Sequence, residues 1–322
     1  MWLVLLLYSL MASTFTIGKI AVTYITPIFF IGIRMIIGGA LLLLYTFFVK
    51  RQHWRFSWSD WWLFAQIVLF HIYCSYIFEF WGLQYLSSSK VSLYFNFSPF
   101  VTALLSYFLL NERLSRKKWL GLFIGFVGMI PLMLGQSDNL ATTGFLSFSW
   151  ADVALMGSVI CSAYGWMVMH ELVVKRHYIP FMVNGFGMFI GGIAALATSA
   201  LIEGWPPTLC TPTSAVGTLS ALLEQSLGCY MAALVIAALS IVFLIIVGNV
   251  ICYNLYGFLL HKYSATFISF AGFTTPIFAA LYGFLLLKEK IGISFIVCLI
   301  LMSLGLYLFY QDELGVNKKS FQ

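Results

Sequence analysis

About ten apolar runs of roughly twenty residues follow one another along this chain, and each is long enough to cross the ~30 Å hydrocarbon core of a membrane as a helix. Only 9% of the 322 residues are charged, whereas a soluble domain carries about a quarter. We therefore predict an all-α integral membrane protein with ten transmembrane helices. The predicted spans are 2–22, 27–49, 60–82, 90–110, 118–135, 151–173, 181–202, 233–260, 265–287 and 291–310.

The positions of the basic residues predict how these helices are oriented. With the N-terminus inside, 12 of the 17 Lys and Arg residues fall in inner connections, three in outer connections and two within spans. Positively charged loops stay on the cytoplasmic side. We therefore expect a multi-pass protein of a bacterial-type plasma (inner) membrane with both termini in the cytoplasm. No basic segment precedes the first apolar run, so we interpret that run as a helix rather than a signal peptide.

A sparse pattern occurs twice along the chain, 177 positions apart. Pro99 precedes Glu112 by 13 residues, Pro276 precedes Glu289 by 13 residues, and a glycine follows each glutamate by 16 residues. Several matches at one constant offset indicate an internal repeat. Repeats of this kind are typical of transporters in which one half of the protein moves against the other.

Five helices in each copy is an odd number, so the two copies would enter the membrane from opposite sides. We predict two inverted five-helix repeats, at 1–136 and 150–311, followed by a cytoplasmic tail at 312–322. The second repeat would contain a long outer loop at 204–230. An inverted pair of halves can adopt two related arrangements, each open to one side of the membrane.

With these motifs the chain resembles the drug/metabolite transporter superfamily, in particular its ten-helix members built from two EamA-type halves. The resemblance implies a secondary transporter with alternating access and a central cavity lined mainly by helices 1, 3, 4, 6, 8 and 9. It does not fix the substrate, because such proteins carry amino acids, nucleotide sugars and other organic molecules. The matching residues are Phe15-Thr16-Ile17-Gly18-Lys19, Pro27 with Arg34, and the segments Pro99 to Leu114 and Pro276 to Ile291.

Ionisable residues within membrane spans are functional candidates, because each costs about 2.5–3.5 kcal/mol on insertion scales. Lys19, Arg34 and Glu79 lie at similar depths toward the outer side. Either they form structural ion pairs, with Glu79 as the partner of Arg34, or part of the cluster binds substrate or closes an outer gate. His71, in the middle of the third span, could relay protons or make an ordinary hydrogen bond between helices.

Polar and aromatic residues on the expected cavity-lining helices complete the predicted site. Pro99 and Pro276 should kink helices 4 and 9, because proline removes a backbone hydrogen bond. Buried amides require hydrogen-bond partners, which favours asparagine as a substrate contact. The predicted substrate-binding residues are Arg34, Glu79, Tyr94, Asn96, Tyr164, Trp166, Asn249, Tyr253 and Phe273.

Other residues are assigned structural roles. Glu112 and Glu289, with Lys19, are expected to act as gate or structural charges; each glutamate ends a helix, where nearby cations would offset its charge. Cys210 and Cys229 lie in or beside the outer loop and could form a disulfide in an oxidising compartment. No Cys or His spacing suggests a metal site, and no glycine-rich phosphate loop is present, so we expect neither metal nor cofactor.

An aromatic cavity with a cation and a carboxylate would suit a zwitterion. We therefore predict transport of an amino acid or an amino-acid-derived solute such as S-adenosylmethionine, which some transporters of the resembled family carry. Protons or a counter-substrate could couple to this movement. An intramembrane enzyme or lipid-handling protein is the alternative, but it would need a catalytic constellation that His71 and Glu79 alone do not provide. We expect a monomer or homodimer in the lipid bilayer, no enzyme activity and no nucleic-acid partner.

Overall fold

The computed structural model describes residues 2–51, 56–109, 115–134, 149–204, 229–252, 255, 259, 272–289 and 292–319. Its regular elements are helices. Six of them are long and apolar enough to cross a membrane, and two shorter apolar helices lie near the C-terminus. The described part of the chain therefore has the all-helical architecture of a membrane protein.

The helices are numbered here in chain order. They are α1 (Trp2–Tyr24), α2 (Pro27–Val49), α3 (Trp58–Tyr85), α4 (Ser88–Phe95), α5 (Ser98–Leu109), α6 (Arg116–Leu134), α7 (Trp150–His170), α8 (Pro180–Ile202), α9 (Cys229–Phe243), α10 (Thr275–Leu287) and α11 (Ile293–Lys319). The fourth predicted span is divided between α4 and α5 by a turn at Asn96 and Phe97.

Two helices contain or continue into π-helical segments that border the site described below. One segment, Ile67–Cys74, lies inside α3, and the other, Leu244–Cys252, continues α9. Their first residues are separated by the same 177 positions as Pro99 and Pro276. Because π-helical turns occur frequently at functional sites, the two corresponding segments indicate that the space between α3 and the end of α9 is a candidate site.

Local sequence explains where α2 and α8 begin. Each has proline at its first position, where the missing N–H costs nothing because it would have no partner within the helix. The N–H groups of Ile28 and Phe29 at the start of α2 donate hydrogen bonds of 2.9 and 3.0 Å to the carboxylate of Glu203, just beyond α8. A negative charge there also complements the helix dipole.

Glycines allow α2 and α8 to pack at very short distance. A Cβ atom added at Gly39 would lie 2.8 Å from the carbonyl oxygen of Gly185, and one added at Gly192 would lie 3.0 Å from that of Gly32. An early residue of α2 therefore meets a late residue of α8, and a late residue of α2 meets an early one of α8. The two helices are antiparallel.

The same relation holds between α6 and α11, which also pack extensively. A Cβ atom added at Gly128 would lie 2.9 Å from Cβ of Leu301, and one added at Gly305 would lie 2.8 Å from the backbone nitrogen of Gly125. Elsewhere α1 packs against α9 and α10, and α3 packs against α7. The largest buried apolar cluster includes Phe30 and Phe80 and extends to α11.

Candidate functional site

A cavity of about 340 Å³ lies between the helices of the core. Its volume is within the range of about 300–1,000 Å³ that is usual for small-molecule sites. The helices that contribute are α1, α2, α3, α4, α5, α7 and the π-helical segment after α9. The lining residues are Met11, Thr14, Phe15, Arg34, His71, Ser75, Tyr76, Glu79, Phe80, Phe95, Ser98, Ser162, Trp166, Gly248 and Cys252.

Arg34 brings a buried guanidinium to this cavity. The residue is only 4% exposed, and its Nη2 donates a 3.0 Å hydrogen bond to Oδ1 of Asn249. The guanidinium carbon lies 5.4 Å from the ring centre of Tyr76 and 5.7 Å from that of Phe80, within the range of cation–π attraction. Its Nε is buried and has no hydrogen-bond partner among the described residues.

Glu79 lines the same cavity and is 9% exposed. It is near enough to interact electrostatically with Arg34. Among the residues that the structure describes, however, no ion pair within 4 Å joins the two groups. The cavity therefore holds a cation and a carboxylate that do not neutralise each other by direct contact.

One face of α3 supplies a row of polar groups. His71, Ser75 and Glu79 are spaced four residues apart, so they lie above one another on a helix, and all three line the cavity. The ring of His71 packs edge-to-face against the indole of Trp166 on α7, with centroids 4.9 Å apart. This spacing is visible in the sequence, but Ser75 was not among the predicted substrate-binding residues.

Asn249 is 1% exposed and is connected to the cavity by its hydrogen bond with Arg34. It belongs to the π-helical segment after α9. A Cβ atom added at Gly38 of α2 would lie 2.5 Å from Nδ2 of Asn249. The absence of a side chain at Gly38 therefore leaves the space that the amide fills beside Arg34.

Several predicted substrate contacts face other parts of the core. Tyr94 donates a 2.7 Å hydrogen bond to Asp152, which also pairs with Lys90 at 2.8 Å. Tyr164 donates to Oε1 of Gln66 at 2.6 Å. The amide nitrogen of Asn96, in the turn after α4, is buried without a partner among the described residues.

None of these three predicted contacts is among the residues that line the cavity within the described part of the chain. Tyr253 lies outside the described residues, and only the backbone of Phe273 is described, in a short turn before α10. Arg34 of α2 lines the cavity, although the second predicted helix was not among those expected to form the lining.

Two of the predicted gate charges, Lys19 and Glu289, contact the ends of neighbouring helices and are not among the residues that line the cavity. Lys19 donates hydrogen bonds of 2.6 and 2.8 Å to the carbonyl oxygens of Leu83 and Gln84 near the end of α3. Glu289 accepts from the backbone N–H of Ser88 at 2.8 Å and from the hydroxyl of Ser89 at 3.0 Å. Its charge thus faces the N-terminus of α4, a different source of compensation from the neighbouring lysines expected from the sequence.

The remaining predicted positions are described in part. Pro99 is the second residue of α5 and Pro276 the second of α10, so each proline stands at a helix start, where it breaks no internal hydrogen bond. Glu112 and Cys210 lie outside the described residues, and the side chain of Cys229 is not described. In the described part of the chain no group of three or more His, Cys, Asp or Glu side chains could hold a metal ion.

Comparisons with known proteins cover nearly the whole chain. The model of the EamA-like transporter family matches residues 1–134 and 149–311. An S-adenosylmethionine/S-adenosylhomocysteine transporter of Chlamydia muridarum is 32% identical over 305 residues, covering 94% of this chain and 88% of the relative. A protein of the same name from Chlamydia trachomatis serovar L2 is 30% identical over 304 residues, covering 94% and 86%.

A solved crystal structure is similar in fold to this chain. It has a TM-score of 0.56 and 17% sequence identity, and the match covers 95% of this chain and 93% of the other. At that identity the likeness concerns the fold alone.

Proposed function

Since this chain belongs to the EamA-like transporter family, we propose that it carries S-adenosylmethionine and S-adenosylhomocysteine across a membrane. It is a multi-pass membrane transporter of a small metabolite rather than an enzyme. The proposed substrates are the molecules named for its Chlamydia relatives at 32% and 30% identity.

The observation that carries the proposal is the pair of opposite charges in one cavity. Arg34 and Glu79 are both buried, both line the cavity and are not joined by a direct ion pair in the described structure. Buried charges are costly unless they are paired. A ligand with an α-carboxylate and an α-ammonium group would supply the missing partner for each, and both proposed substrates carry these groups.

The geometry of Arg34 suits the carboxylate end of such a ligand. Asn249 occupies Nη2, while the aromatic rings of Tyr76 and Phe80 lie beside the guanidinium carbon. The buried Nε has no described partner; in the proposed complex it and a second nitrogen donate to the two oxygens of the carboxylate. Such bidentate pairs are among the strongest hydrogen-bonded contacts in proteins.

Alternating access through two inverted repeats is the mechanism we propose for the movement. Gly32 and Gly39 of α2 correspond to Gly185 and Gly192 of α8 at one constant spacing, and the contacts between them are reciprocal. A symmetry operation that superposes each of two antiparallel helices on the other also reverses the direction in which the chain runs. If α2 and α8 are equivalent, the two halves cross the membrane in opposite senses, which supports an inverted repeat.

Further helix pairs obey the same exchange. If α1 corresponds to α7, α3 to α9 and the α4–α5 pair to α10, then the packing of α1 on α9 corresponds to that of α7 on α3. The packing of α1 on α10 likewise corresponds to that of α7 on α5, and all four contacts are present. We therefore propose repeats at 1–136 and 150–311, a tail at 312–322, and a plasma-membrane protein with cytoplasmic termini.

Uptake of labelled S-adenosylmethionine into vesicles that contain the purified chain tests the substrate. We expect saturable uptake that unlabelled S-adenosylhomocysteine inhibits, and faster uptake when the vesicles are loaded with either compound if transport is by exchange. Repeating the assay with and without a pH gradient tests proton coupling. Transport of uncharged sugars or lipids with no uptake of S-adenosylmethionine would contradict the proposal.

Arg34→Ala tests the charge pair within this assay. Because hydrogen bonds to charged groups contribute about 1.5–3 kcal/mol, we expect KM to rise about 100-fold while folded protein is retained. Arg51→Gln is the matched control, since Arg51 lies beyond the end of α2 near Phe47 and does not line the cavity. Unchanged kinetics in Arg34→Ala would assign Arg34 a structural role only.

A further inference from the structure

His71 is a buried polar group that the binding of an amino-acid group does not use. It is 3% exposed, and neither ring nitrogen makes a hydrogen bond of normal geometry within the described residues, although the backbone of Ser162 lies beside it. Buried polar groups in native proteins rarely lack such partners. Since His71 lines the cavity, a bound molecule could provide the partner.

The position of His71 is separate from that of the charge pair. Glu79 lies eight positions after His71 on α3, which corresponds to roughly 12 Å along a helix. Both residues line one continuous cavity. An elongated ligand could therefore place one end beside Arg34 and Glu79 and its other end beside His71.

Trp166 makes this end of the cavity aromatic. Its indole lines the cavity and is 42% exposed, and the His71 ring meets it edge-to-face. An aromatic side chain can stack on any nucleobase, because every base has a π face. A neutral imidazole adds one donor and one acceptor, and adenine displays both an amino donor and ring-nitrogen acceptors at its edge.

We propose that His71 and Trp166 form a subsite for the purine base of the substrate, while Arg34 and Glu79 hold its amino-acid group. This inference rests on the proposed function and deepens it. Nδ1 of His71 lies against α7 at Gly165. In the proposed complex Nε2 forms a hydrogen bond with the edge of the base, and Trp166 contacts the face of the base.

The test uses the two halves of the substrate as separate competitors. Uptake of labelled S-adenosylmethionine into vesicles is measured while either unlabelled adenosine or unlabelled L-methionine is added. His71→Phe keeps a planar ring and removes both nitrogens. We expect it to weaken inhibition by adenosine about tenfold, the effect of one unmade hydrogen bond in a buried site, while inhibition by methionine changes by less than about twofold.

Arg34→Gln should give the opposite result, with weaker inhibition by methionine and unchanged inhibition by adenosine. His71→Gln, which restores a donor and an acceptor, should recover part of the adenosine effect. Leu69→Ala is the matched control, because Leu69 lies on the same π-helical segment, is 46% exposed and is not part of the cavity lining.

The two proposals fail in distinguishable ways. If the wild-type chain does not take up S-adenosylmethionine, both the substrate and the purine subsite are wrong. If the wild-type chain transports it but His71→Phe and His71→Gln leave adenosine inhibition unchanged, or weaken both competitors equally, only the purine subsite is wrong. Tryptophan fluorescence and elution as a single species establish that each variant is folded before the assay.

Discussion

The buried contact between α4 and α7 gives the sharpest prediction about stability. Lys90 and Asp152 form an ion pair of 2.8 Å with side chains that are 6% and 0% exposed. The same carboxylate accepts hydrogen bonds from the hydroxyls of Tyr94 and Ser149, each at 2.7 Å. Replacing Lys90 by methionine keeps the apolar stem of the side chain and leaves Asp152 without this cation.

The structure sets the expected size of the effect. Removing one partner of a buried ion pair costs about 3–5 kcal/mol, because the remaining charge stays buried. Since two hydroxyls still donate to Asp152, we expect Lys90→Met to lie at the lower end, about 3 kcal/mol. The double variant Lys90→Met with Asp152→Leu removes both charges and should recover most of that loss, although α7 then loses the capping box formed by Ser149 and Asp152.

Unfolding of the purified chain in mixed micelles provides the measurement. The fraction of denaturing detergent is raised, and tryptophan fluorescence gives the midpoint for wild type, both single variants and the double variant. Tyr94→Phe serves as a smaller perturbation and should cost about 1 kcal/mol, the net value of one hydrogen bond. A wild-type midpoint for Lys90→Met, or a double variant less stable than either single variant, would refute this account of the pair.

Two further predictions use the same unfolding measurement. Gly39→Ala should destabilise the protein by about 1–3 kcal/mol, because its Cβ would lie 2.5 Å from the backbone nitrogen of Phe189. Gly292→Ala is the control, since no described atom lies within 4 Å of its Cβ position. Equal unfolding midpoints for the two variants would contradict the close packing of α2 and α8. Glu289→Ala should lower the free energy of unfolding by about 1–2 kcal/mol, because the hydrogen bonds and the interaction with the N-terminus of α4 are lost. Glu289→Gln should lower it by about half as much. An unfolding midpoint unchanged by either substitution would mean that the contact with Ser88 contributes nothing to stability.

The helices themselves were largely predictable from local sequence. The apolar run 27–49 coincides with α2, and 181–202 lies within one residue of α8, because a membrane sets the length of a helix and proline favours its first position. Pro99 indicated a kink in the fourth span, but the local sequence did not predict that α4 would end at Phe95 and α5 would begin at Ser98. The π-helical segments likewise carry no distinctive composition.

The candidate site was predictable only where its residues are rare. Arg34 and Glu79 stand out because ionisable side chains are expensive within a membrane. Aromatic residues do not stand out, since they are 18% of the chain. Trp166 lines the cavity, whereas Tyr164 of the same helix donates a hydrogen bond to Gln66. The two residues are two positions apart, and their different surroundings depend on which neighbouring helices each one contacts.

The sequence by itself determined that this chain is a helical membrane protein of a transporter family, because hydrophobic length, rare charges and ordered motifs are properties of the chain read along its length. The tertiary structure alone decided which polar groups meet: Arg34 with Asn249, Lys90 with Asp152, and Glu289 with the start of α4. These partners lie far apart in the sequence, and nearer residues of suitable charge were available. The rotation and crossing of packed helices fix which side chains face one another, and they bring Arg34 and Glu79 to one cavity.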